Sequence, residues 1–444
     1  MKTLKGETVE DRRPITKESA VSYYGSPEEG MKNTDDQTVE ELSKAFEKLQ
    51  KTEGDSLLKK YLTRDIYDTL KHRVTESGAT LLDVIKSGVE NPDSSIGVYA
   101  PDSESYVMFK EIFDPIIKDY HQGFQPTDEH PKVDFGDPDV FGDLNAPADY
   151  VLSTRIRCAR SLEAYPFNSK MTEENYEELE QDVEAALDFL DGDLAGYYTT
   201  LSELKPNEKK KLTEEHLLFN NEDRFLEAAG AFHYWPKGRG IYLNSDNTFI
   251  VWVNEEDHMR IISMEKGGNV KSVYKRFVNA LSSLEEHLHF STSQRLGHLN
   301  FCPTNIGTGI RASVHIRLPN LGKDREKLEE LAAGFNLQVR GTSGEHSEVE
   351  DYVFDISNKR RVGLTEFETI QEMYDGIEEI IRYESENSSE DIDNGNNDTV
   401  SQIYEKTKYD AGYDNKEGNK NEDNQNNKHD NDERDNYKHE NNEK

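Results

Sequence analysis

Arginine recurs in this chain where strands are expected. Arg155 and Arg157 lie two apart in VLSTRIRCAR, so an extended backbone turns both the same way, and Arg260, Arg311 and Arg340 each sit in or beside another apolar, strand-like run. Taken singly, each reads as an internal ion pair in an acidic protein. Taken together, five guanidiniums suit a polyanion such as a nucleoside triphosphate, because their forks match phosphate oxygens and stay charged when desolvated. The usual glycine cradle is missing: there is no G-x-x-x-x-G-K-[ST], and NIGTGIRAS falls short of a dinucleotide fingerprint. Phosphoryl transfer asks chiefly for alignment and for neutralisation of spreading negative charge, which arginines together with Mg2+ supply.

The stretch VWVNEEDHMRIISM adds acid to this. Glu255, Glu256, Asp257 and His258 interrupt two apolar runs that read as core strands. Glu256, and Glu345 and His346 in RGTSGEHSE, read singly as solvated surface groups; two glutamates facing one cationic substrate would instead orient it and accept a proton. Cys302 lies where LNFC breaks at Pro303 into a glycine-containing loop. It reads either as a small buried residue or as a thiolate, the second needing donors such as Thr304 and the loop amides. Cys158, between strand arginines, reads as core.

The elements that must hold these residues follow from periodicity. Thr38 to Glu41 is a capping-box pattern with Leu42, Phe46 and Leu49 behind it at helical spacing, and SLLKKYLT, RDIYDTLKHR and ATLLDVIKSGVE continue as helices. From Tyr150, YVLSTRIR, GIYLN, TFIVWV, RASVHIRLP and LQVR read as strands, with SDN as a hairpin turn between the second and third. TEENYEELEQDVEAALDFL, SVYKRFVNALSSLEEHL and DREKLEELAAGF read as helices. The expected fold class is α+β: a small all-helical domain, then a larger antiparallel sheet flanked by helices, then a disordered polar tail. The expected boundaries are a loose arm over 1–37, helices over 38–122, a Pro, Asp and Gly-rich linker over 123–149, the sheet domain over 150–384 and the tail over 385–444.

Composition limits the partners. The formal charge of −36 argues against nucleic acid and anionic membranes, so any anion site must be built locally. The tail alone carries 17 acidic and 8 basic residues and almost nothing aliphatic, too little to bury a core. Two cysteines, a mean hydropathy of −0.89, no membrane-length apolar run and no signal-like start lead to a cytoplasmic expectation.

At the words VLSTRIRCARSLEAYPFN, FLEAAGAFHYWPKGRGIYLN, VWVNEEDHMRIISMEKGG, FCPTNIGTGIRASVHIRLP, VRGTSGEHSEVE and DISNKRRVGLTEFE, the chain resembles the phosphagen (ATP:guanido) kinases, and within them the arginine-specific members. The resemblance runs from about Thr38 to Glu384. It implies a kinase that reversibly transfers the terminal phosphoryl of MgATP to a guanidino nitrogen, here of L-arginine, giving ADP and phosphoarginine. Mg2+ would arrive on the nucleotide, with no metal ligands of the protein's own, and a monomer is expected.

The resemblance further implies three nucleotide segments: Ser153, Thr154, Arg155, Ile156 and Arg157; Arg311, Ala312, Ser313, Val314 and His315; and Arg340, Gly341, Thr342, Ser343, Gly344 and Glu345. Arg260 would join them, with His216 against the adenosine. Glu256 and Glu345 would clamp the guanidinium, one of them taking its proton, and Cys302 would touch it as a thiolate. Ser95, Ile96, Gly97, Val98 and Tyr99 would recognise the rest of the substrate through backbone contacts to its carboxylate, and Asp93 would pair with Arg224. Where the family carries an arginine after GT and then paired glycines, this chain has Ser343 and then Asp351 and Tyr352. The same chemistry on taurocyamine or lombricine, and a nucleotide-binding protein without catalysis, are the alternative readings.

Overall fold

Helix α1, Asp36–Lys51, starts on Asp35, whose carboxylate accepts the Thr38 amide at 2.9 Å and the Thr38 hydroxyl at 2.7 Å. The sequence pattern placed the cap at Thr38. An ionised oxygen is the stronger acceptor for the orphan amides, so Asp35 takes the cap and Thr38 becomes its donor. The computed structural model describes residues 33 to 145, 149 to 341 and 351 to 388; the arm before 33 and the tail beyond 388 lie outside it.

Five further helices follow: α2 Leu57–Tyr61, α3 Arg64–Leu70, α4 Leu81–Glu90, α5 Ser105–Met108 and α6 Lys110–Tyr120. They bury Leu42, Phe46, Tyr67, Val84 and Phe113 together, with Phe46 stacked on Tyr67 at 4.4 Å. The same apolar cluster continues into Leu226, Leu299, Phe301 and Val362, so the helical domain shares its core with the larger one. The expected linker is partly a packed strap. Phe141 and Leu144 are buried in the large core, and the Asp134 amide donates to Glu366 at 3.0 Å.

The larger domain runs β1 Val151–Arg160, α7 Glu173–Leu187, β2 Gly196–Thr200, α8 Pro206–Glu214, α9 Arg224–Ala229, β3 Gly240–Asn244, β4 Phe249–Val253, β5 Met259–Lys266, α10 Val270–Glu285, β6 Thr292–Ser293, β7 Gly297–His298, β8 Ile310–Arg317, α11 Arg325–Gly334, β9 Leu337–Arg340, β10 Val353–Asn358 and α12 Glu366–Ser388. Eight strands form one sheet in the order β2-β3-β4-β5-β1-β8-β10-β9, and each neighbouring pair is antiparallel.

One face of this sheet carries Ile156, Cys158, Val251, Ile261, Val314 and Ile356 into a core closed by α7, α10, α11 and α12. The alternation of β1 beyond its register shift at 151–153 is thereby explained: Thr154, Ile156 and Cys158 face the helices, and Arg155 and Arg157 point away from them. Helix α12 runs four residues past the expected boundary at 384. Its acid-rich exposed face hid the apolar stripe of Ile370, Met373, Ile377 and Ile380. Among the described residues, no helix is long and apolar enough to cross a membrane.

Candidate active site

Strand register places all five arginines on the face opposite the helices. Arg157 stands directly across from Arg311, Arg155 across from Ser313, and Arg260 is diagonal to Arg157 on β5. On the far side, Asp355 faces both His315 and Arg340. A period of two in each strand and an unbroken ladder between them therefore align Arg155, Arg157, Arg260, Arg311, Ser313, His315 and Arg340. The other half of this face is apolar: Ile250, Trp252 and Ile262 join Leu217, Leu218 and Phe219, with Arg155 over the Trp252 ring at 5.7 Å. Ser153 and Thr154 begin the same strand, and Ile156, Ala312 and Val314 belong to the opposite, core-facing side.

Crowded like charges leave a mark on these groups. Burial, and then Arg311 and Arg260, pull the Arg155 pKa down to about 10, and burial followed by Arg260 and Arg155 depresses Arg157 strongly. Arg311 is held by Asp355 at 2.7 Å. Burial opposes that carboxylate's charge, but Arg311 outweighs it and keeps the pKa below the ordinary range. Arg340 donates to the Gln338 side chain at 3.2 Å. A face with this much positive potential gains from an incoming polyanion.

The acidic turn between β4 and β5 sits at the end of this face. Arg260 donates to Glu255 at 3.0 Å and to Glu256 at closer range. The sequence reading sent Arg260 to phosphate and Glu256 to a guanidinium; the structure pairs them with each other, because buried opposite charges within reach cost less together than apart. Burial opposes the Arg260 charge, yet Glu255, Glu256 and Asp257 outweigh it and raise its pKa. Burial, and secondarily Glu256, raises that of Asp257.

Asp257 has a task that the sequence did not reveal. Its carboxylate accepts the Phe301 amide and the Asn305 side-chain amide, each at 3.0 Å, and so fixes the turn that carries Cys302. Arg361 grips the same turn through the Thr304 carbonyl at 2.7 Å, and buried His121, at the end of α6, reaches the Pro303 carbonyl at 2.9 Å. Cys302 is 6% exposed, with its Sγ 3.1 Å from the Thr304 hydroxyl. Burial, then the Glu256 charge, pushes its pKa up, so the turn by itself favours the thiol form. His258 is buried and neutral, accepting the Leu162 amide at 3.0 Å and donating to the Pro166 carbonyl at 3.0 Å, which leaves it no part in proton transfer.

The segment from Ser95 to Tyr99 reaches this site along the helical domain. The Tyr99 ring packs on Phe301 with centroids 4.8 Å apart, and the Ala100 amide donates to the Phe301 carbonyl at 2.7 Å. Arg224 pairs with Asp93 across the two domains, with Asn91 accepting from the same guanidinium at 2.9 Å. His216 is exposed, just after α8, and its charge is a minor contributor, well behind burial, to the lowered pKa of His315. Gly341 directly follows β9 and is buried; Thr342, Ser343, Gly344, Glu345 and His346 lie outside the described residues. Asp355 could have been read from the alternation of YVFDISN. His121 and Arg361 offered no local signal, because their partners are about 180 and 56 residues away in sequence.

Comparison with known proteins accords with this geometry. The family model of the ATP:guanido phosphotransferase C-terminal catalytic domain matches residues 178–387, and that of the N-terminal domain matches residues 52–118. An arginine kinase of Artemia franciscana is 56% identical over 348 residues, covering 78% of this chain and 98% of that protein. One of Homarus gammarus is 55% identical over 350 residues, covering 79% and 98%. Among solved structures, the duplicated taurocyamine kinase of Schistosoma mansoni superimposes with a TM-score of 0.74 at 38% identity over 79% of this chain, which spans about half (49%) of that duplicated protein. A lombricine kinase gives 0.70 at 37% identity, covering 77% of this chain and 96% of that one.

Proposed function

This chain belongs to the ATP:guanido phosphotransferase family, and from that premise we propose that it acts as an arginine kinase. It moves the terminal phosphoryl group of MgATP reversibly to the guanidino group of L-arginine, giving ADP and phosphoarginine and so buffering ATP. The observation that carries this reading is the single sheet face on which Arg155, Arg157, Arg260, Arg311 and Arg340 align, ending at the carboxylates of Glu255 and Glu256 and at Cys302. Phosphates lie along the arginines, which neutralise the charge that spreads over the transferring group. Mg2+ comes with the nucleotide as part of the substrate.

A guanidinium is a poor nucleophile because its pKa lies above about 12. Glu256 holds it by exchanging the Arg260 contact for the substrate's, and accepts the departing proton as the N–P bond forms. The same cation supplies the positive charge that Cys302 needs to ionise, so its thiolate forms only with substrate beside it. L-Arginine rather than taurocyamine or lombricine follows from the level of likeness, about 55% to arginine kinases against 37–38% to the other two. The test is competition among L-arginine, taurocyamine and lombricine at equal concentration with MgATP. Preferential phosphorylation of L-arginine is expected; preference for either of the others would reassign the substrate.

A further inference from the structure

The segment 95–98 buries Ile96 and Val98 in the apolar cluster, and its main-chain hydrogen bonds run through its carbonyls. The Leu57 and Leu58 amides, at the start of α2, donate to Ser95 and Ile96 at 3.0 and 2.9 Å, and the Gly88 amide of α4 donates to Gly97 at 3.1 Å. The amides of residues 95 to 98 have no acceptor among the described residues. These unspent N–H groups, around a glycine at φ +83°, leave a nest of donors for the substrate carboxylate that the resemblance assigns to this segment. It adjoins the Cys302 turn through the Tyr99 to Phe301 contact.

What sets the height of this nest is contact from behind. A Cβ on Gly88 would stand 2.5 Å from the Gly97 carbonyl oxygen, 2.6 Å from its Cα and 2.7 Å from Leu58 Cδ2. A Cβ on Gly97 would stand 2.8 Å from Leu58 Cβ. The two nearest atoms both belong to the Gly97 main chain and cannot swing aside as the Leu58 methyl could, so a side chain at 88 must lift the nest. Gly88 is buried in the second half of α4, where a glycine costs about 1 kcal/mol relative to alanine, so helix propensity does not account for it.

We infer that Gly88 and Leu58 are positioning residues for substrate choice: they seat the 95–98 amides at the height from which those amides read the α-carboxylate of the guanidino substrate. Neither touches substrate. The inference rests on the arginine kinase reading and adds the residues that set its selectivity for a carboxylate.

The experiment compares L-arginine with agmatine, which has the same guanidinium arm and no carboxylate, agmatine being measured as substrate or competitive inhibitor. Gly88→Ala is expected to raise KM for L-arginine about tenfold or more while the agmatine constant and KM for MgATP stay within about twofold, so that discrimination between the two guanidines collapses. Leu58→Ala loosens the same support without a clash and is expected to shift in the same direction, and it decides the matter should Gly88→Ala not fold. Parallel losses for L-arginine and agmatine, or no change for either, would overturn the inference while leaving wild-type arginine turnover intact. Wild-type protein that neither binds nor phosphorylates L-arginine would overturn the arginine reading and this inference with it.

Discussion

Replacing Asp257 by asparagine tests whether the acidic turn works by holding the Cys302 loop. Asp257 is 1% exposed and accepts two hydrogen bonds. Asparagine keeps one oxygen for the Phe301 amide but turns an NH2 toward the Asn305 side-chain amide. Asn305 cannot flip to suit it, because its own oxygen accepts from Arg361. Losing a charge-assisted bond and leaving a buried donor opposed to a donor costs about 2–3 kcal/mol. Removing a buried negative charge beside Glu256 returns roughly 1 kcal/mol. The net loss is therefore about 1–2 kcal/mol, and if it is felt at the loop, kcat/KM for L-arginine falls roughly five- to thirtyfold. Steady-state kinetics varying each substrate, with nucleotide affinity by calorimetry, measure it. Unchanged arginine kinetics, or a variant more stable than wild type, would show that charge relief dominates and that the tie is not what places Cys302.

Other consequences are open to measurement. Glu256→Gln keeps the shape of the clamp but not its charge, and should lower kcat by about 10²–10⁴ with little change in ATP affinity, Arg260 keeping Glu255; equal losses in both would misplace Glu256. Tyr352 adopts φ +57°, a conformation that costs a non-glycine residue about 1–2 kcal/mol, against about 0.4–1 kcal/mol of added chain entropy for glycine. Tyr352→Gly should thus raise the thermal midpoint slightly, and a lowered midpoint would show that the ring's packing on Gly322 outweighs the strain. His121 and His258 are buried neutral, burial lowering their pKa values to about 3 and about 4. Because the unfolded chain takes up protons first, at about 6.5, stability is full above that pH and should decline by about 1.4 kcal/mol per unit per histidine as pH falls toward 4. Denaturant titrations giving the same stability at pH 7 and 5 would contradict this.

How far the site could be read in advance depended on the range of the interactions. Alternation in VLSTRIRCAR identified the paired arginines because a strand's period of two is a local property, and the same logic reached Arg260, Arg311 and Arg340. It could not say that Arg260 would take Glu255 and Glu256 as partners, since a turn's side chains are aimed by tertiary packing. Strand β2 escaped because GYYTT is a half-exposed edge with no clear alternation, and α12 because its solvent face is acidic. The roles of Asp257, His121 and Arg361 depend on contacts between distant segments, which no local pattern encodes. Glu345, the second half of the expected clamp, lies outside the described residues.

The proposed reaction is the transfer of a phosphoryl group from nucleotide to guanidine along one arginine-lined sheet face. Phosphorus NMR of the protein with MgATP and L-arginine follows that transfer directly. Loss of the γ-phosphate signal, growth of an N–P resonance that acid abolishes, and regeneration of ATP when ADP is added in excess are expected. Inorganic phosphate as the sole new signal, or an unchanged spectrum, would contradict that transfer.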